Sequence, residues 1–484
     1  MKNDAYIENA AREGKLLLAA ALSTKAVPDA AGRPLHCAAV LPQDSPKRRA
    51  LLARLAREPA AFFLRAHARL ERALGCGEPL VIVTDWTDPS EVVGLRLQDE
   101  RGQTDAPDLC FLALETNWED LDASGIEEIL GHELSHLWLH RMGYRPERSR
   151  SNRFHTSTAI TDPYLAFFEG FAESLEILSA ERMGPPEEAA PLYDDGYDAG
   201  AWLCARDTAL RLHAVRNNRF LYRTADLRPE DFPSYSALHM AHSASSAFLP
   251  ERLKNGLQAV SSEGLIASFF FRLFSCRACL EAPLPAEVFA RFCAMGEDLS
   301  PQEALLLKVL FAMMQLDFSR PTLFVDFAGA YLSCFPAERE AALAVFCRVT
   351  NFVTVDAGAP ALFGELYRVG IQGDPEAFRR ACLRVRAQKA EWTESLLRGD
   401  LPLGGAVAPS LWIEADKEVL SVPWDPESAV RLRIDVNAAT EVDLFALEGL
   451  TLPQCREIVR SRDARGGFSD LAAFWACVDR VRRA

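Results

Sequence analysis

The chain has 484 residues, 49% hydrophobic and 25% charged, with a formal net charge of −15. That is ordinary globular composition with room for about two to four domains, and its acidic balance excludes polyanion binding over the whole surface while leaving local basic patches open. No run approaches the roughly 18–20 apolar residues of a membrane span.

Residues 1–75 read as helical. The apolar run at 16–22 follows Asp4, Glu8 and Glu13. A secretory leader is basic and acid-poor there, so the run is expected to belong to an amphipathic helix. Residues 47–74 space Leu51, Leu52, Leu55, Phe62, Phe63, Leu64, Leu70 and Leu74 at helical intervals with basic residues between them. This predicts helix with a solvated basic face. Over residues 79–115 the period changes. Leu80-Val81-Ile82-Val83, residues 91–97 and residues 110–114 predict a small sheet. An exposed strand at 110–114 would suit pairing with an extended peptide.

The next helix carries the chemistry. His132-Glu133-Leu134-Ser135-His136 places two of the chain's nine histidines four residues apart. That spacing puts both imidazoles on one helical face, within reach of one metal ion, with Glu133 beside them to take a proton from water. Ser124 and Glu127 read as a capping box that starts the helix at Ser124. Ile126, Ile129, Leu130, Leu134 and Leu137 form its apolar stripe, and Arg141, Gly143 and Pro146 mark its end.

An Arg-rich segment follows, with Arg141, Arg145, Arg148, Arg150, Arg153 and His155. It is expected to be a solvated loop, with a substrate-steering lid as the sharper alternative. Phe167-Phe168-Glu169-Gly170-Phe171-Ala172-Glu173 then predicts a second helix with Glu169 and Glu173 on one face. Two histidines need a third protein ligand and one open position to make a catalytic zinc site, and a carboxylate here can supply it.

H-E-L-S-H followed by F-F-E-G-F-A resembles the gluzincin metallopeptidases over about residues 79–180. The resemblance implies that His132, His136 and Glu169 bind zinc and that Glu133 is the general base. Phe168 stands where aminopeptidase-like members have Asn, and the gap from His136 to Glu169 is longer than in compact members. Such enzymes hold the tetrahedral oxyanion with a Tyr or His further on. Tyr235 is the first candidate by position, with His239, His242 and Tyr197 as alternatives.

Residues 191–400 are expected to form a helical subdomain. Residues 193–214, 264–280, 338–349 and 376–397 read as helices, and Ser300-Pro301-Gln302-Glu303 opens another. Gly and Pro enrichment at 401–430 marks a linker, with a short strand at Leu411-Trp412-Ile413. The last segment, 431–484, resembles the helix-hairpin-helix module of competence-type and type II secretion proteins. It carries Val436-Asn437-Ala438-Ala439-Thr440, Leu447-Glu448-Gly449-Leu450 and Gly467-Phe468-Ser469-Asp470-Leu471. In DNA-binding members the hairpin reads G-I-G, and its backbone N–H groups meet a phosphate. Here Thr451 replaces the second glycine, which favours a protein-interaction or packing role over DNA binding.

The 12 cysteines are spread thinly, as in reduced thiols of a cytoplasmic protein, and Cys276 with Cys279 is a lone C-x-x-C. The expected architecture is α+β and mostly α. A zincin-like core at 76–190 follows the N-terminal helical region and precedes the helical subdomain, linker and hairpin module. The expected activity is zinc-dependent hydrolysis of a peptide or protein substrate. The alternatives are a non-catalytic regulator or DNA-associated adaptor acting through 431–484, and metal-assisted hydrolysis of another bond.

Overall fold

The computed structural model describes residues 2–87, 90–145, 163–182, 219–223, 231–233, 247–320, 322–407, 420–423, 431–434 and, with short interruptions, 436–483. The fold is mixed and mostly helical, with a small sheet. Chain contacts group it into two compact units that interleave along the sequence. The first comprises Met1–Tyr144, Phe171–Leu212 and Arg277–Gln315; the second comprises Arg145–Gly170, His213–Cys276 and Leu316–Ala484.

The N-terminal part runs α1 (Lys2–Arg12), β1 (Leu16–Pro28), β2 (Pro34–Val40), α2 (Pro46–Leu55), α3 (Ala60–Leu74), β3 (Leu80–Thr84), β4 (Ser90–Asp99) and β5 (Gly102–Ala113). Two long helices follow, α4 (Ile126–Arg141) and α5 (Pro163–Arg182). Next come β6 (Phe220–Arg223), β7 (Ala247–Leu253), α6 (Gly256–Val260), α7 (Glu263–Phe274), α8 (Arg277–Glu281), α9 (Ala286–Phe292) and α10 (Pro301–Met313). The remainder is α11 (Leu323–Cys334), α12 (Arg339–Thr350), α13 (Ala359–Gln372), α14 (Pro375–Arg398), β8 (Leu420–Pro423), β9 (Arg431–Ile434), α15 (Leu452–Asp463) and α16 (Leu471–Arg483).

In the first unit the five strands close into a barrel in the order β1-β2-β4-β5-β3. Its core is Ala19, Ala38, Val81, Val83, Leu95, Phe111 and Ala113. Five strands enclose a narrow interior, and three alanines among these seven positions fit that width. The N-terminal region therefore differs from the helical expectation: it holds two strands besides its helices. The apolar run at 16–22 is strand, pairing antiparallel with β2 and parallel with β3, Leu16 opposite Leu80. A short apolar run suits a buried strand or a buried helix equally, and partners distant in sequence decided between them.

The basic face of residues 47–74 is not solvated throughout. Arg54 is 2% exposed and forms a double ion pair with Glu127, also 2% exposed. Arg69 is buried and meets Glu297 at 3.1 Å and Glu303 at 3.0 Å, while Arg65 meets Glu303 at 2.9 Å. Glu303 also closes the capping box on Ser300 that the sequence predicts for α10. These contacts hold α3 to α10.

The capping box predicted for Ser124 and Glu127 does not form. Helix α4 starts one residue after Gly125, whose left-handed backbone (φ 59°) caps it. Ser124 Oγ accepts from the Asn117 N–H at 2.8 Å, and the Glu127 carboxylate goes to Arg54. Burial raises the Glu127 pKa, with the Arg54 charge opposing.

The second unit is built on aromatic packing. Phe269 and Phe270 of α7 lie 4.9–6.2 Å, centroid to centroid, from Phe324, Phe327 and Phe346 of α11 and α12. The expected α10, α12 and α14 are present, while the predicted helix at 193–214 and the strand at 411–413 lie outside the described residues. The stretch expected as a linker contains β8, which pairs with β9. The C-terminal helices gather a core of their own, including Val436, Leu444, Leu450, Ile458, Phe468, Phe474 and Val478. Thr451 is the N-cap of α15 and forms a capping box with Gln454.

Two outcomes follow from the buried charges. Arg54→Met leaves Glu127 buried without its partner and is expected to lower unfolding free energy by about 3–5 kcal/mol in urea denaturation. Adding Glu127→Leu should recover most of that loss. His67 of α3 is buried and accepts a hydrogen bond from Trp138 Nε1 at 3.3 Å; burial, then the nearby Arg141 charge, depress its pKa from 6.5 to about 3. Below pH 6.5 the unfolded chain takes up a proton that the folded chain refuses, so this residue removes stability as pH falls from 6.5 to about 3. The slope is ~1.4 kcal/mol per pH unit. His67→Gln keeps an acceptor for Trp138 and should flatten the acid limb across that window.

Candidate metal centre

Helix α4 carries His132 and His136 one turn apart, their ring centroids 4.7 Å from each other and their planes 85° apart. Helix α5 carries Glu169. Side-chain donor atoms of His132, His136 and Glu169 all lie within 4.8 Å of one another. His136 and Glu169 are buried and His132 is half-buried. Ligands about 2.0–2.2 Å from a divalent ion stand about 3–3.5 Å apart. Two imidazoles and a carboxylate suit first-row divalent metals as a class, and the donor set is not specific to zinc.

The three positions expected as ligands are thus brought together. Glu173 is not in the cluster. A fourth residue belongs to the site: Glu176 of α5 sets Oε2 3.2 Å from His132 Nδ1. A carboxylate on one ring nitrogen fixes orientation and tautomer, which makes Nε2 the nitrogen His132 offers to an ion. The sequence held a signal for it. Glu176 lies seven residues after Glu169, two turns along the same helical face.

Both ligand helices are held where a side chain would not fit. A Cβ on Gly131, next to His132, would lie 2.8 Å from the Phe63 ring of α3. A Cβ on Gly170, next to Glu169, would lie 2.6 Å from the Glu263 carbonyl oxygen and 2.7 Å from Ile266 Cβ. Glycine at each point lets the backbones approach closely. Further bonds hold α4: Ser179 Oγ of α5 donates to the Glu127 carbonyl, Trp138 donates to His67, and Arg141 pairs with Glu78. Ser135 Oγ returns a bond to the His132 carbonyl at 2.7 Å. Glu133 is buried between the two ligand positions of the sequence.

The oxyanion candidates Tyr235, His239, His242 and Tyr197 lie outside the described residues, as do Arg148, Arg150, Arg153 and His155 of the Arg-rich segment. The expectation of an exposed strand at 110–114 is overturned. Cys110, Phe111, Leu112, Ala113 and Leu114 are all buried. Cys110 to Ala113 pair with β4; Leu112 and Ala113 also pair with β3, and the Leu114 N–H donates to the Val83 carbonyl at 2.8 Å. Barrel closure occupies the edges that strand addition needs.

Comparison with protein-family models, with curated proteins and with solved structures returned no match. The site is therefore read from its own geometry.

Glu169→Ala is expected to drop metal content far below that of the parent chain after dialysis against a buffered metal solution, read by elemental analysis. Glu176→Gln should weaken affinity about 10–100-fold, the usual effect of removing such a supporting carboxylate. Glu173→Ala should leave it unchanged.

Proposed function

We propose that this chain is a zinc-dependent peptidase in which His132, His136 and Glu169 hold the ion and Glu133 is the general base. The observation that carries the reading is the convergence of the three donors within 4.8 Å on two helices, with Glu133, next to His132 in the chain, also buried. The resemblance to gluzincins in H-E-x-x-H and E-G-F-A supports the same assignment. Zinc, when bound, polarises a carbonyl and makes water acidic near neutral pH.

This chain's residues do the rest. Glu133 accepts the proton of the attacking water and hands it to the leaving amine. Glu176 holds the His132 ring, and Gly131 and Gly170 set the two ligand helices against neighbours that leave no room for a side chain. Such positioning matters because small displacements of reacting groups cost large factors in rate. The reaction class is hydrolysis of an amide in a peptide or protein substrate, reached without strand addition to residues 110–114.

A second reading has its own support. The C-terminal helices have a separate core, as an adaptor module would, and a non-catalytic metal-bearing scaffold could deliver that module to a protein or nucleic-acid partner. One experiment divides the readings. Purified Glu133→Gln should keep about one metal per chain and lose peptide cleavage by roughly a hundredfold or more. Cleavage unchanged in that variant would remove the base assignment. A metal-loaded parent chain that cleaves nothing in a peptide library would favour the scaffold.

A further inference from the structure

The first unit also contains a cavity of about 410 Å³ bounded by α1, the start of β1, α3 and residues 76–80. That size falls in the range of small-molecule pockets. Ile7, Leu16, Leu64 and Leu80 contribute apolar wall, and His67 and Glu71, one turn apart on α3, contribute polar groups.

Glu71 is the unusual member. It is 8% exposed, and neither carboxylate oxygen accepts a hydrogen bond. The Nε of Arg141 lies 3.7 Å from Oε1, beyond hydrogen-bond length, and Arg141 instead donates Nη1 to Glu78. His67 Nδ1 already accepts from Trp138, so the neutral ring carries its proton on Nε2. The other charges on the lining have partners of their own: Glu13 meets Lys15 at 2.7 Å, and Arg72 meets Glu297 at 2.9 Å. Glu71 and Glu78 are left sharing the single charge of Arg141. A buried carboxylate without donors is costly, and a ligand bringing N–H groups and one positive charge removes that cost.

We propose that this cavity binds a small monocationic amine with an apolar body, its ammonium group against the Glu71 carboxylate and its body against the aliphatic wall. Burial raises the pKa of Glu71, the direction expected for a carboxylate with too few donors. The proposal does not depend on the activity of the metal centre.

The test is calorimetric titration of the full chain with phenethylammonium, with and without EDTA. Hydrocinnamate, of similar size and opposite charge, is titrated alongside. Saturable amine binding at about millimolar concentration or tighter, insensitive to EDTA and absent for hydrocinnamate, is the expected result. Glu71→Gln should weaken it by roughly thirtyfold or more. Ala68 lines the cavity at an exposed position, so Ala68→Phe obstructs it with little risk to folding, checked by thermal melts, and should abolish binding. No saturable amine binding, equal affinity in both variants, equal binding of hydrocinnamate, or binding lost with EDTA would each overturn the proposal.

Discussion

The buried pair of Arg54 and Glu127 is the constraint on which the placement of the histidine helix depends. Glu127 stands in the first turn of α4, and its carboxylate is taken by a guanidinium from α2. Two charges at 2% exposure cannot be left unmatched, so α2 and α4 have one relative register that satisfies both. The same requirement displaced the cap. The Glu127 carboxylate is directed to Arg54, and the helix begins at a left-handed glycine. Five residues after Glu127 comes His132, so the register set by this pair is inherited by the histidines of the candidate metal centre.

A second constraint acts at the ligands themselves. A Cβ added beside His132 would run into an aromatic ring, and one added beside Glu169 into a carbonyl and an isoleucine. Close-packed interiors resist displacement, and at both points the room left is too small for a side chain. The ligand geometry therefore rests on main-chain packing as much as on side-chain bonds. Glu176 adds rotational control over the His132 ring.

The barrel shows how little a short motif says about its scaffold. The five residues of an H-E-x-x-H motif define a ligand arrangement, and sites of one chemistry occur on unrelated folds. Here the strands before the motif close on themselves, with an alanine-rich interior, and residues 110–114 are buried at their junction. That stretch therefore offers no free edge for strand addition.

Much of the site was legible in order. The four-residue spacing of His132 and His136 and the helical period around Glu169 follow from local geometry alone, as do the Ser300 cap and the C-terminal helices. Glu176 was on the same face as Glu169 yet indistinguishable from a surface glutamate until a histidine was found opposite it. The strand at 16–28 and the fate of Glu127 depended on β3 and on Arg54, partners 64 and 73 residues away. Periodicity, capping residues and motif spacing are properties of neighbouring positions, and the chain expresses them without reference to the rest of the fold. Strand pairing, barrel closure and buried ion pairs are choices among distant partners of similar chemistry, and only the packed tertiary structure, which must match every buried charge and fill every interior volume, makes them.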